Sequence, residues 1–172
     1  MAEGTFEIRP LTASDAAAFR RIRLEAIADA PLAIWPTHDE EAGRTDEEIR
    51  ARIRQTGTQV VFGAFIDGQL AGIAGLRREP FVQVRHKAVI WGVFIRPAQR
   101  QAGLARKLFA HLLSHARAEG VLQIHLTVNT ENVRARELYR SLGFAPFGLE
   151  PRAMRVGDRW FDEEHMILRL DG

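Results

Sequence analysis

The chain has 172 residues, 46% of them hydrophobic, which is enough for one core and too short for two. It contains no cysteine, which excludes disulfides, thiol nucleophiles and thiolate metal sites, and no uninterrupted run of about 18 apolar residues, which excludes a membrane-spanning helix. The isoelectric point of about 9.6 overstates the basicity: formal net charge is only +2, 22 of the 24 basic residues are arginine, and there is one tyrosine, so little titrates between histidine and lysine. The arginines are interspersed with acids instead of forming one basic face, which argues against primary nucleic-acid binding.

Thr5-Phe6-Glu7-Ile8-Arg9 alternates and ends at Pro10, as a short first strand does. Thr12 followed by Asp15 reads as a capping box opening a helix to about residue 28, with Phe19, Ile22, Ala26 and Ala30 on or near its apolar side. Pro31 and Pro36 break that helix, and Asp39-Glu40-Glu41 is expected in a mobile acidic loop. A second helix starts at Thr45, with Glu48 three positions on and Ile49 and Ile53 inward. Residues 60–66 and 69–76 form a hairpin around Asp67-Gly68. A strand over 87–95 precedes Pro97, and a helix over 103–119 repeats Leu104, Leu108 and Leu112 before Gly120 stops it. A strand over 123–128, a helix over 132–142 closed by Gly143, and strands over 145–149 and 165–170 complete the chain. This order predicts a mixed, mostly antiparallel sheet of about seven strands flanked by about four helices, an α/β (α+β) domain over residues 3–171 and not a full dinucleotide-binding doubly wound fold.

The most informative segment runs from Val93 to Arg106. A buried strand passes through a short turn into a helix start, whose first N–H groups have no partner inside the helix and can bind phosphate oxygens. Gly103 and Ala105 leave room for a pyrophosphate, and Arg100 and Arg106 add positive charge. No Gly-Lys-Ser/Thr follows, so this is not a Walker loop, and the full Gly-x-Gly-x-x-Gly fingerprint is absent. Arg100-x-x-Gly103-x-Ala105 and the later Asn132-x-x-Ala135-x-x-Leu138-Tyr139-x-x-x-Gly143-Phe144 closely resemble two motifs of the GNAT superfamily of N-acetyltransferases, in the right order. The element order agrees over nearly the whole chain. Alanine at 102 and 105 replaces glycines that many members use, which implies altered fit, not lost binding.

The resemblance implies a three-layer GNAT-like fold, acetyl-CoA as acyl donor, and an amine as acceptor. It implies that Val93, Phe94 and Ile95 lie where the central strand separates from its neighbour and pair with the pantetheine arm, with an N–H near Phe94 polarising the thioester carbonyl. Gln101, Ala102, Gly103, Leu104, Ala105 and Arg106, with Arg100, would hold the pyrophosphate. Asn132 would touch the pantetheine or adenosine side, and it is equally a helix cap. Tyr139 would protonate the departing thiolate. Glu25 is the first candidate for the carboxylate that takes the amine proton, with Glu40, Glu41, His86 and His125 as alternatives; the acids near the first helices mildly favour a cationic acceptor. Trp35 is the tryptophan nearest the presumed acceptor loops. No metal site is expected, because no His/Asp/Glu pattern suits one, and no Ser-His-Asp arrangement supports a covalent acyl-enzyme. The acceptor can be a small molecule or a protein amino group. A homodimer is compatible with the resemblance, and a cytoplasmic location is the default for a start without a signal-peptide pattern. The alternatives are a non-catalytic acyl-CoA sensor and a transferase for a longer acyl group.

Overall fold

The computed structural model describes residues 5–172; positions 3 and 4 of the expected domain lie outside them. In chain order the elements are β1 Phe6–Pro10, α1 Ala16–Asp29, α2 His38–Ala42, α3 Asp46–Ile53, β2 Gln59–Ile66, β3 Gln69–Arg77, β4 Lys87–Ile95, α4 Leu104–Ala118, β5 Gln123–Asn129, α5 Val133–Ser141, β6 Ala145–Val156 and β7 Arg159–Arg169. The strands form one sheet in the order β1-β2-β3-β4-β5-β7-β6. All neighbours are antiparallel except β4 and β5, the pair that α4 connects as a crossover. The expected α/β sheet is therefore present, with five α-helices in place of about four.

The extra helix is α2, where the sequence suggested a mobile acidic loop. Thr37 accepts the Glu40 N–H, and the Glu40 carboxylate accepts the Thr37 N–H in return at 2.8 Å, so a reciprocal cap offsets the poor helix propensity of so short an acidic segment. Thr45 and Glu48 repeat the device at α3, as the sequence predicted. The last two strands are also longer than expected, because Arg159-Trp160-Phe161 pairs back on Met154-Arg155-Val156 across the Gly157-Asp158 turn.

Two apolar layers cover the sheet. On one face Leu104, Leu108, Phe109 and Leu112 of α4, with Tyr139 of α5, pack on Val60, Phe62, Ala64, Ala88 and Ile90. On the other, Phe19, Ile22 and Ala26 of α1 and Ile49 and Ile53 of α3 pack on Val61, Phe65, Ile73 and Phe94. Strand side chains alternate faces, so one strand should keep one parity per face. In β4 it does not. Ala88 and Ile90 face α4, but so does Ile95, while Trp91 and Phe94 both join the α1 side. The reason is an irregularity in the β3–β4 register between Gly75 and Ile73, where Gly92 takes a positive φ of 64°. One extra residue there switches the parity and bends the strand.

Candidate active site

That bend lies where the sheet opens. β4 and β5 are registered only at Lys87–Gln123, Ala88–Ile124 and Val89–His125; beyond Val89 the β5-facing edge of β4 has no strand partner. The Arg96 N–H donates to Ala71 O at 2.9 Å on the β3 side, so alternation turns the Ile95 amide towards the open edge. An unpaired strand edge offers N–H and C=O groups to an extended, amide-bearing ligand.

The opening continues into a cleft of about 1230 Å³ that runs from the α1–α3 side to the start of α4. Among its walls are Val93, Phe94, Ile95, Arg100, Gln101, Gly103, Leu104, Ala105, Arg106, Asn132 and Tyr139. Of the residues anticipated from sequence, Ala102, Glu25, Glu41, His86 and His125 do not line it. The turn before α4 holds Gln101 at φ 66° and Gly103 at φ 76°. The first intrahelical bond reaching back to Gly103 O comes from Lys107 N–H, so the amides of Leu104, Ala105 and Arg106 have no partner in the helix and form an anion-binding end. Arg100 is less free than the sequence suggested: its guanidinium donates to Ile95 O at 3.0 Å and pairs with Asp29. Arg106 donates to Ser141 Oγ at 2.7 Å. Asn132 does cap α5, accepting the Ala135 N–H at 3.3 Å, which leaves its amide NH₂ as a donor for the cleft.

Tyr139 is 8% exposed, wedged between Phe109 and Phe144 with ring centroids 5.9 and 6.1 Å away. Burial disfavours the phenolate and pushes its pKa to about 12, so the phenol keeps its proton at any ordinary pH.

Glu25 is engaged elsewhere. Its carboxylate accepts two hydrogen bonds from Arg96, at 2.8 and 3.1 Å, which tie α1 to the end of β4. Glu41 is unsuited as a base: it is fully buried and bonded to Arg23, Arg44 and Arg52. Burial by itself would raise its pKa, but these guanidiniums hold it below the ordinary value. His86 and His125 are not among the cleft walls; His125 stands beside Gln123 Nε2 at 2.8 Å, and burial, then Lys87, lowers its pKa.

Sequence reasoning missed Glu163. It lies on β7, 5% exposed, and lines the cleft. Trp35, from the α1–α2 loop, donates its indole N–H to Glu163 Oε1 at 2.9 Å, joining the two sides of the cleft. Among the described residues four buried side-chain polar atoms have no hydrogen-bond partner, and three of them, Trp91 Nε1, Asn129 Nδ2 and Glu163 Oε2, belong to cleft residues. Unpaired buried polar atoms are costly and rare; Trp91 Nε1 lies against Gly75, which leaves Asn129 Nδ2 and Glu163 Oε2 as the atoms a polar ligand could answer. Arg23, Arg44 and Arg52 also line it. Arg23 had a readable signal: Phe19, Ile22 and Ala26 define the inward side of α1, and position 23 falls on it. Glu163 had none, because it sits in the run Asp162-Glu163-Glu164 ahead of the strand expected over 165–170, and an acidic run reads as solvated.

The comparisons with known proteins give the class to which this fold belongs. The family model described as the acetyltransferase (GNAT) family matches residues 22–144, and the chain belongs to that family. It is 30% identical over 140 residues to an L-methionine sulfoximine/L-methionine sulfone acetyltransferase of Pseudomonas paraeruginosa, covering 81% of this chain and 80% of that one. It is 39% identical over 98 residues to the N-alpha-acetyltransferase RimI of Mycobacterium tuberculosis, covering 55% and 57%. The structure of yncA, a putative acetyltransferase from Salmonella typhimurium with its cofactor acetyl-CoA, superposes with a TM-score of 0.84 at 26% identity, covering 98% of this chain and 95% of that one.

Proposed function

We propose that the protein transfers an acetyl group from acetyl-CoA to a primary amine by direct attack on the thioester. The observation that carries this reading is the β4 edge left unpaired beyond Val89, leading to the free amides at the start of α4. The two features suit a pantetheine arm and a pyrophosphate respectively, and the likeness to a relative bound to acetyl-CoA supports the same donor. Glycine at 103 matters twice here, since its φ of 76° strains any L side chain and its missing Cβ leaves open space at the helix end. Gly103→Val is expected to weaken coenzyme A binding about tenfold and to cost about 1–2 kcal/mol of stability; calorimetric titration together with thermal unfolding checks both.

The residues take the following parts. The Ile95 amide on the open edge donates to the carbonyl oxygen as negative charge grows there. The amine nitrogen bonds to the carbonyl carbon and the C–S bond breaks, so one proton must leave nitrogen and one must reach sulfur. Tyr139 supplies a hydrogen bond and a proton to sulfur. With a pKa of about 12 it is a weak acid towards a thiolate, so it acts by donating as the ammonium proton is passed back, and is regenerated protonated. Glu163 takes Glu25's place as the candidate base: it lines the cleft, and its Oε2 has no hydrogen-bond partner. It accepts the proton that the acceptor ammonium loses before attack, directly or through water, while the second proton, released from nitrogen after attack, is the one that restores the Tyr139 phenol.

The test is release of free thiol from acetyl-CoA over a broad amine panel. The rate is expected to rise with pH as the acceptor ammonium loses its proton, with no falling limb from Tyr139 below about pH 10, because its phenol remains protonated there. Saturable coenzyme A binding without thiol release for any amine would make the protein an acyl-CoA sensor instead.

A further inference from the structure

The acceptor end of the cleft carries a cluster that the acyl-transfer reading does not use. Arg23, Arg44 and Arg52 converge on the single carboxylate of Glu41, at 3.1, 3.2 and 3.1 Å. Arg23 and Glu41 are almost wholly buried, with side chains 3% and 0% exposed. Three cations share one anion, so positive charge is in excess inside a partly desolvated wall. Desolvation, followed by repulsion from Arg23, brings the Arg52 guanidinium down to about 10, the response of a cation short of counter-charge.

Two other carboxylates stand on this wall, Glu40 and Glu48. Both are exposed to solvent, and each is committed to the cap of its own helix, at Thr37 and Thr45. Both also attract Arg44 through space, but water screens them, so they do little for the buried Arg23. A fourth arginine, Arg77 at the end of β3, also lines the cleft and forms no ion pair among the described residues.

A tie between α1, α2 and α3 needs one arginine on Glu41, not three: Arg23 and Glu41 balance each other in the interior, and Arg44 and Arg52, with side chains 31% and 24% exposed, share a carboxylate that is already paired. The donor left over points the same way. Arg23 uses Nε and Nη2 on Glu41; its Nη1 lies 3.4 Å from where a Cβ at Gly92 would stand, beside the bulge at the opened edge. A nearly buried guanidinium thus keeps a donor at the edge where the thioester would lie.

We propose that the acceptor is a small amine bearing a carboxylate, of the amino-acid type, and that Arg23, Arg44, Arg52 and Arg77 bind the carboxylate while the amine faces the β4 opening and Glu163. This rests on the acyl-transfer reading. It also revises the mild preference for a cationic acceptor read from the acids near the first helices: among them Glu41 is held by three arginines, and the arginines on this wall favour an anion. Guanidinium is suited to this role because its planar donors meet both oxygens of a carboxylate.

The test compares L-amino acids with their own primary amides as acceptors for acetyl-CoA, in wild type and in Arg52→Gln. The amide's amine is the less basic of the two, so without recognition of the carboxylate the amide reacts at least as fast. Wild type is expected to favour the acid by about 10–100-fold in kcat/KM for the best pair, and Arg52→Gln to reduce that ratio about tenfold or more. Arg52 is chosen because Glu41 retains Arg23 and Arg44 without it, and Arg77→Gln, at an exposed strand end, is the second variant should Arg52→Gln fold poorly. Amides matching the acids in wild type, or an acid-to-amide ratio unmoved in the variant, would overturn the proposal. Acetylation confined to uncharged or polycationic amines would also overturn it, while leaving the transferase standing. If no amine releases thiol, the transferase reading fails by itself; calorimetry of the same amino acids against the coenzyme A complex then decides the subsite, with binding weakened in Arg52→Gln supporting it and no binding ending it.

Discussion

Tyr139→Phe is expected to lower kcat by about 10²–10⁴-fold while leaving acetyl-CoA affinity within a factor of about two. The substitution removes one oxygen from a ring that is otherwise fully packed against Phe109 and Phe144, so the core keeps its shape and folding is not at issue. What is lost is the sole phenol in the chain, in a cleft wall, at a position where burial keeps it protonated. Because the effect falls on departure of the thiolate, the deficit should shrink with a donor whose thiol is more acidic, which leaves without help. Pre-steady-state measurement of thiol release separates this from slow product dissociation. Near-normal chemistry in the variant would remove Tyr139 from the reaction.

Glu41→Gln is expected to destabilise the fold by about 3–5 kcal/mol, because it leaves Arg23 buried without its counter-charge and strands Arg44 and Arg52 beside it. For a chain of this size that corresponds to a fall in Tm of roughly 6–20 °C. The same linkage fixes a pH dependence. Glu41 has a folded-state pKa below its ordinary 4.5, so its contribution is complete above that value and is lost as pH falls through the folded pKa. Wild-type Tm should therefore drop more steeply on acidification below about pH 4.5 than that of Glu41→Gln, in which this group no longer titrates. Arg23→Met in the Glu41→Gln background should recover part of the loss, since it removes the stranded charge. A change under about 1 kcal/mol for Glu41→Gln would show the cluster to be solvated and uncoupled.

Much of this protein was written in its local sequence. Leu104, Leu108 and Leu112 set the α4 face, Asp67-Gly68 set the first hairpin, and Thr45 with Glu48 set the start of α3, because periodicity, turn chemistry and caps act over a few residues. The α4 end of the cleft was legible for the same reason: the free amides at Leu104 to Arg106 belong to one turn and one helix start. The α1–α3 end was not. Glu25 read as an available base, but it is held by Arg96, 71 positions away in sequence. Glu163 is drawn into the cleft with Trp35, 128 positions away. Glu41 looked like part of a solvated acidic run, and three arginines from α1, α3 and the intervening loop enclose it. Gly92 inside the strand pattern is a local hint of a bulge, but that Trp91 and Phe94 go to the same face follows from the pairing with β3. Whether a carboxylate is a base, a clamp or a counter-ion depends on its desolvation and its partners; those are set by which distant segments meet, and only the tertiary structure brings them together.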